Sequence, residues 1–279
     1  NVNPIHGKDW NWGISFNTAK NYNKVKNAGE ELSVTWSDYV NGTLVRNGRS
    51  INSFYAYRFK GLNDEGLPTF YGESEKDEDG VAIITTQEEA FDAAFVYAGR
   101  REPTLSGGFS TNLRFKRLTM NANFSFALGN KIRLNNLYYE SGQALPFPQQ
   151  NMSSEFVDRW REPGDDTVIP ALSDDAMTFG PYDRKYPIAN NRWDMYNKSD
   201  LRVVSGDFLR CRSLSLRYDI APEWLRKFYI TAASLSFDVS NPFVFKSKDL
   251  KGRDPEQVTM GSGTVPPQRG YSLRLNVSF

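Results

Sequence analysis

Apolar and polar residues alternate along several separated stretches of this chain, and each such stretch predicts a strand with one apolar and one polar face. In "WNWGISFNTAK", Trp10, Trp12, Ile14 and Phe16 share one parity while Asn11, Gly13, Ser15 and Asn17 hold the other. Two further runs follow. Leu105, Phe109, Leu113 and Phe115 face one way, as do Leu118, Met120, Ala122, Phe124, Phe126 and Leu128 after a tight turn at Lys116 and Arg117, which predicts a hairpin. Leu214, Leu216, Tyr218 and Ile220 alternate, a turn runs through "APEWLRKF", and a long strand climbs back from Tyr229 to Phe243. On parity alone Cys211, grouped with Leu209 and Ser213, faces away from Leu214 and Leu216. The chain closes on "RGYSLRLNVSF", with Tyr271, Leu273, Leu275, Val277 and Phe279 on one side. "SFYAYRF" at 53 to 59 is a seventh candidate, and "LSVTW" at 32 to 36 a further short one.

Connections are of two kinds. Those at 116 to 117 and 221 to 228 are short, whereas polar stretches at 61 to 103, 129 to 205 and 244 to 268 are longer than compact soluble domains ordinarily carry. Outer-membrane barrels combine short turns at one end with long loops at the other, and their tilted strands run about 9 to 11 residues. Two loop segments read as helices. In "TTQEEAFDAAFVYAG", Thr86 is the N-cap and Glu89 completes a capping box. Phe91, Ala94, Phe95 and Ala98 share a face, and Gly99 is the stop. "SSEFVDRW" is a shorter one, ended by Pro163 and Gly164.

Composition narrows the function. Thirty-four basic against thirty-three acidic side chains give a formal charge of +1, which favours neither nucleic acid nor acidic substrates. Aromatic content is 14%, yet no run approaches the roughly 18 to 20 apolar residues of a spanning helix. Asn1 opens neither a charged nor an apolar leader segment, which predicts a removed signal or a missing front. A single cysteine, Cys211, precludes an internal disulfide, and a single histidine, His6, leaves little for a His-based metal site or triad. Hydrolase motifs, a Walker-type glycine loop and HExxH are absent, so the chain reads as a non-enzyme. No cofactor is expected. The acidic run "ESEKDEDG" at 73 to 80, and Asp165, Asp166, Asp174 and Asp175 around "TVIPALS", offer calcium only irregular ligand spacing and read first as solvated loops.

The final run poses a physical demand. A strand that stops on alternating apolar side chains suits a sheet facing hydrocarbon, where every strand edge must find a backbone partner. "GDFLRCRSLSLRYDIAPEWL", "SLSFDVSNPFVF", "LKGRDPE" and "PPQRGYSLRLNVSF", in that order, resemble the C-terminal barrel strands of SusC-like (RagA-like) TonB-dependent transporters. "NSFYAYRFKGLNDEGLPTFYG", "EPTLSGGFSTNLRFKRLTMNANFSFALG", "DRWREPGDDTVIP" and "NRWDMYNKSDLRVVSGDFLR" extend the resemblance over nearly the whole chain. Asn241-Pro242-Phe243 departs from the family pattern, and Pro242 predicts a strand end or bulge there. Gly270 stands where threonine is common.

The resemblance implies an all-β fold: residues 1 to 279 form the C-terminal part of a large antiparallel transmembrane β-barrel. About seven strands are too few to close a wide lumen, and the family's plug and TonB-binding segment have no counterpart in this sequence. It further implies an integral outer-membrane protein of a Gram-negative bacterium, importing oligosaccharides or peptides. The implied partners are a SusD-like surface lipoprotein lid, the TonB complex acting through the missing N-terminal region, outer-membrane lipid and the barrel assembly machinery. Nucleic acid is not among them. Tyr271, Leu273, Leu275, Val277 and Phe279 resemble the assembly signal that this machinery reads.

Aromatic residues of the longest loop, Tyr138, Tyr139, Trp160, Tyr182, Tyr186 and Trp193, are the candidate ligand contacts, with Tyr196 beside them; the competing reading is that they pack the loop. Asp254 of "GRDPE" reads as a turn initiator that shapes the last loop. Two other functions stay open on the residues alone: a soluble secreted β-sandwich binding glycans through Trp and Tyr, and an outer-membrane enzyme for which His6 would be the imidazole base.

Overall fold

The computed structural model describes residues 1–29, 34–72, 86–138, 151–172, 192–258 and 265–279. They divide into two compact units: one of residues 1–22, 102–130 and 205–279, the other of residues 23–101 and 131–204.

The first unit is a seven-stranded antiparallel sheet. Its strands are β1 (Val2–His6), β2 (Trp10–Lys20), β3 (Leu105–Phe115), β4 (Leu118–Leu128), β5 (Phe208–Asp219), β6 (Ala232–Lys246) and β7 (Gly270–Ser278). Strand order follows chain order, so each strand pairs with its sequence neighbour. The alternation in the sequence explains the pairing, since any other register by one residue would turn an apolar set onto the polar face. Trp10, Phe115, Leu118, Tyr218, Leu235 and Leu275 lie in one cross-strand row, and Trp12, Leu113, Met120, Leu216, Phe237 and Leu273 in the next. The turn at Lys116 and Arg117 forms as expected, with Phe115 paired to Leu118 and Lys116 at a φ of 52°.

The seventh strand differs from the expected one. It is Val2–His6, which pairs with β2. Ser53–Tyr57 instead pairs with Phe95–Arg100 in a separate two-stranded sheet of the second unit, because its core needs Tyr55 and Tyr57, both buried. The "LSVTW" segment yields no strand among its described residues, since Trp36 opens a helix over Trp36–Asn41; Leu32 and Ser33 lie outside the described residues.

Arg212 accounts for a second difference. Between the Leu214–Ala122 and Cys211–Phe124 pairs, β5 holds two residues where β4 holds one, and β6 holds three, Ser240, Asn241 and Pro242. The bulge resets parity, so Cys211 and Leu209 lie opposite Phe124 and Phe126 on the apolar face, not on the polar face that counting by twos assigns. Pro242, which has no N–H to donate, falls in this bulge, and Asn241 takes the left-handed φ of 50° that asparagine tolerates. The strand continues through it to Lys246.

The second unit packs helices and two-stranded ribbons around aromatic side chains. The helix Gln87–Ala94 starts at the expected capping box: Thr86 Oγ1 accepts from Glu89 N at 3.2 Å while Thr86 N donates to Glu89 Oε2 at 3.1 Å. It ends earlier than Gly99, because Phe95–Arg100 is recruited as a strand against Ser53–Tyr57. Thr86→Ala is expected to destabilise this helix by about 1 kcal/mol, read as faster amide exchange at its first turn. The second expected helix is a short 3-10 helix, Ser154–Asp158, which stops at Arg159, before Pro163 and Gly164.

Candidate functional site

The two faces of the seven-stranded sheet have opposite chemistry. One carries the Trp, Phe and Leu rows, and its large side chains are uncovered: Tyr271 is 66%, Leu273 71% and Leu275 62% exposed. Soluble proteins seldom leave an apolar area of this extent facing water. Even the polar atoms there are satisfied locally, Trp12 Nε1 donating to Thr111 Oγ1 at 2.8 Å. Trp10 to Lys20 advances about 34 Å at ~3.4 Å per residue, and a strand tilted by about 45° then rises about 24 Å, the height of an outer-membrane apolar band.

The other face is a field of small polar side chains. Asn123 Nδ2 donates to Ser213 Oγ at 2.8 Å, Asn112 donates to Asn121, and Gly108 N donates to Asn17 Oδ1 at 2.8 Å. Ser15, Asn17, Gly108, Ser110 and Asn123 border a shallow depression on it, of about 380 Å³. Glycine at 107 lets the neighbouring strand approach, since a Cβ there would collide with the carbonyl oxygen of Asn17.

Toward the end of the sheet where the long connections leave, the polar face carries a buried ion cluster. Arg210 Nη2 donates to both carboxylate oxygens of Asp254, at 2.7 and 2.6 Å, and its Nε donates to Glu256. Arg212 donates to the other oxygen of Glu256 and, through Nε, to Ser125 Oγ at 2.7 Å. Lys246 Nζ holds the carbonyls of Gly252 and Arg253, each at 2.7 Å. Asp254 does initiate a turn, its carbonyl accepting from Gln257 and Val258 N at 3.1 Å. Beyond that it pins the loop to β5, through Arg210, 44 residues away in sequence.

In the second unit, two of the expected ligand contacts are core residues. Trp193 is 1% exposed and Tyr138 is buried as well. Their rings pack at 5.4 Å, with Phe156 6.3 Å from Tyr138 and Tyr196 5.6 Å from Trp193. Neither offers a face to a ligand; they form the core that gives the loop a shape, and the surrounding apolar packing pushes the Tyr196 hydroxyl up to about 12. Trp160 is half-buried, its indole lying over Gly66, where a Cβ would collide with it. Tyr139, Tyr182 and Tyr186 lie outside the described residues, as do the acidic run at 73–80, Asp174 and Asp175. Asp165 is occupied in shaping its own turn, accepting from Arg161 N at 2.8 Å and Glu162 N at 3.2 Å. No cluster of three metal-ligating side chains occurs among the described residues.

Sequence reasoning missed the cations that organise these loops. Arg202 makes a buried pair with Glu155 at 2.8 Å and donates to the Asn135 carbonyl at 2.7 Å. Arg133 donates to the carbonyls of Val40 and Tyr55, both at 2.5 Å, and burial together with the charge of Arg101 brings its guanidinium down to about 10. Arg202 and Arg133 find partners 47 to 93 residues away, a distance over which no local pattern announces a pair.

No family model matches the chain. TonB-dependent receptor P3 of Formosa agariphila is 25% identical over 306 residues, covering 100% of this chain and 28% of that protein. TonB-dependent receptor SusC of Bacteroides thetaiotaomicron is 25% identical over 295 residues, covering 100% of this chain and 25% of that protein. The chain is SusC-like. Its fold agrees with a solved structure of the RagAB peptide transporter at a TM-score of 0.65 and 20% identity, over 99% of this chain and 28% of that one. The SusC-like chain thus spans little more than a quarter of the length of the proteins it matches. Its seven strands are part of the wall of an outer-membrane β-barrel, a setting in which an apolar face suits lipid and a polar face a wet interior.

Proposed function

We propose that the protein containing this chain imports a nutrient, an oligosaccharide or a peptide, across the outer membrane in a TonB-dependent manner, beneath a SusD-like lipoprotein lid. The observation that carries the reading is the two-faced sheet, uncovered and apolar on one side and lined with serine and asparagine on the other. A β-sandwich would cover the apolar face with a second sheet, whereas here residues such as Leu273 stand 71% exposed. This portion supplies wall, lumen surface and loops. Transport then consists of binding and gating, with no covalent step assigned to these residues.

The relatives' names support the reading, one being called a receptor and another a peptide importer. The test is to delete the full-length gene and measure uptake of labelled oligosaccharide and peptide pools, alongside the mass of the detergent-extracted protein and what it carries. Loss of uptake of one pool, with a lipoprotein co-purifying, is expected. Unchanged uptake of both would reject the function. Tyr271, Leu273, Leu275, Val277 and Phe279 are proposed to guide assembly, and Phe279→Asp is expected to lower the level in the outer membrane. An undiminished level would remove that role.

A further inference from the structure

We infer that Arg212 is a specificity-determining residue on the polar face of the sheet, where it takes an anionic group, a carboxylate or a sulfate ester, of the imported solute. This rests on the import reading proposed above, in which the polar face lines the passage. Arg212 is the residue that β5 holds in excess between the Cys211–Phe124 and Ser213–Asn123 pairs, so alternation assigns it to neither face. A bulge re-aims a side chain. Here the guanidinium comes to rest on the polar face, its Nε donating to Ser125 Oγ at 2.7 Å and its Nη2 to Glu256.

The charge of Arg212 is only partly answered. Asp254 is engaged by Arg210 through both oxygens, and Glu256 is shared between Arg210 Nε and Arg212. Lys246, within the field of Asp254, adds a third cation to these two carboxylates. The Arg210 side chain is 3% exposed and sealed within the cluster, whereas that of Arg212 is 40% exposed. Its Nη1 has no hydrogen-bond partner among the described residues. The two bonds it does make fix the plane of the guanidinium, so a ligand meets donors already oriented, with little side-chain entropy left to lose.

The surroundings of that guanidinium are neutral and hydrogen-bonding. Ser125 pairs across the strands with Gly108, which puts no side chain beside it. The next polar row is Ser15, Ser110, Asn123, Ser213, Ser240 and Gly270, and Asn123 Nδ2 donates to Ser213 Oγ at 2.8 Å. Asp238, the acid of the row after that, pairs with Ser215 and so lies beyond Ser213 from Arg212. A solute with hydroxyl or amide groups along its length and an acid at one point finds neutral partners for the former and a cation for the latter. A solute without the acid gains nothing from Arg212.

The test replaces the full-length gene by Arg212→Gln and Arg212→Lys versions and measures uptake of labelled oligosaccharide and peptide pools, each divided on an anion exchanger into acidic and neutral fractions, with the gene deletion as baseline. Receptor-dependent uptake is expected in an acidic fraction, falling about tenfold in R212Q and to an intermediate rate in R212K, with any neutral uptake unchanged. The pool that carries it separates acidic sugars from acidic peptides. Amidating its carboxylates abolishes the uptake if the group is a carboxylate and spares it if the group is a sulfate ester. Protease resistance between Lys248 and Val258 should match the parent in R212Q, because Arg210 still holds Asp254 and Glu256. Should R212Q assemble poorly, R212K, which keeps the charge but loses the planar fork, still decides, and parental acidic uptake there would overturn the inference. Receptor-dependent uptake confined to neutral fractions, acidic uptake indifferent to R212Q, or a loss that falls equally on both fractions or accompanies a cleaved loop would overturn it too, while leaving import standing. No receptor-dependent uptake of any fraction rejects both.

Discussion

Arginine in place of Leu214 is expected to cost the full-length receptor about 2 to 4 kcal/mol of folding stability in a bilayer, the scale for a cation near the midplane on a lipid face. Leu214 belongs to the row of Ile14, Thr111, Ala122, Val239 and Tyr271, and the next row, with Phe16, Phe109, Phe124, Cys211 and Phe243, lies on the other side of the sheet's centre. Leu235→Arg sits two rows nearer the short connections, so its cost should fall to about 0 to 1 kcal/mol, because the long side chain reaches the headgroups. Refolding of the three proteins into vesicles under a urea gradient supplies the comparison. Equal, small costs at both positions would mean that the faces are inverted.

The second large effect concerns the ion cluster. Asp254→Ala leaves Arg210 buried with only Glu256 as counter-charge, and losing one partner of such a pair costs about 3 to 5 kcal/mol. Because the cluster ties Asp254 and Glu256 to β5, the loss should first appear as proteolysis between Lys248 and Val258, before the sheet itself unfolds. An Arg210→Met/Asp254→Leu double variant that removes both buried charges is expected to be milder than D254A. If both variants melt and resist protease like the parent, the cluster is not holding the loop.

Much of the sheet was legible because a lipid-facing strand must alternate, and the period of two is visible residue by residue from Leu118 to Leu128. Two things defeated that reading. A bulge is an insertion of one residue, so parity from Leu214 backward assigns Cys211 to the wrong face, and nothing at Arg212 itself marks the extra residue. Val2–His6 was missed because its alternation is interrupted by Pro4 and its register slips between Val2 and Ile5. In the second unit the same aromatic richness that suggested ligand contacts serves packing: Tyr138 and Trp193 are large apolar surfaces in a segment with few aliphatic residues, and they bury each other. The Thr86 capping box was readable since its geometry is local, whereas Glu155 and Arg202 pair across 47 residues.

The bulged corner has a meaning beyond the placement of Cys211. From β4 to β5 to β6 each strand carries one residue more than its predecessor between the same pair of rows. Each addition advances the strands past one another along the barrel wall, and the accumulated shear, together with strand number, sets the radius at which a sheet closes. Arg212, Asn241 and Pro242 therefore contribute to the bore of the whole barrel, a property to which they have no local connection.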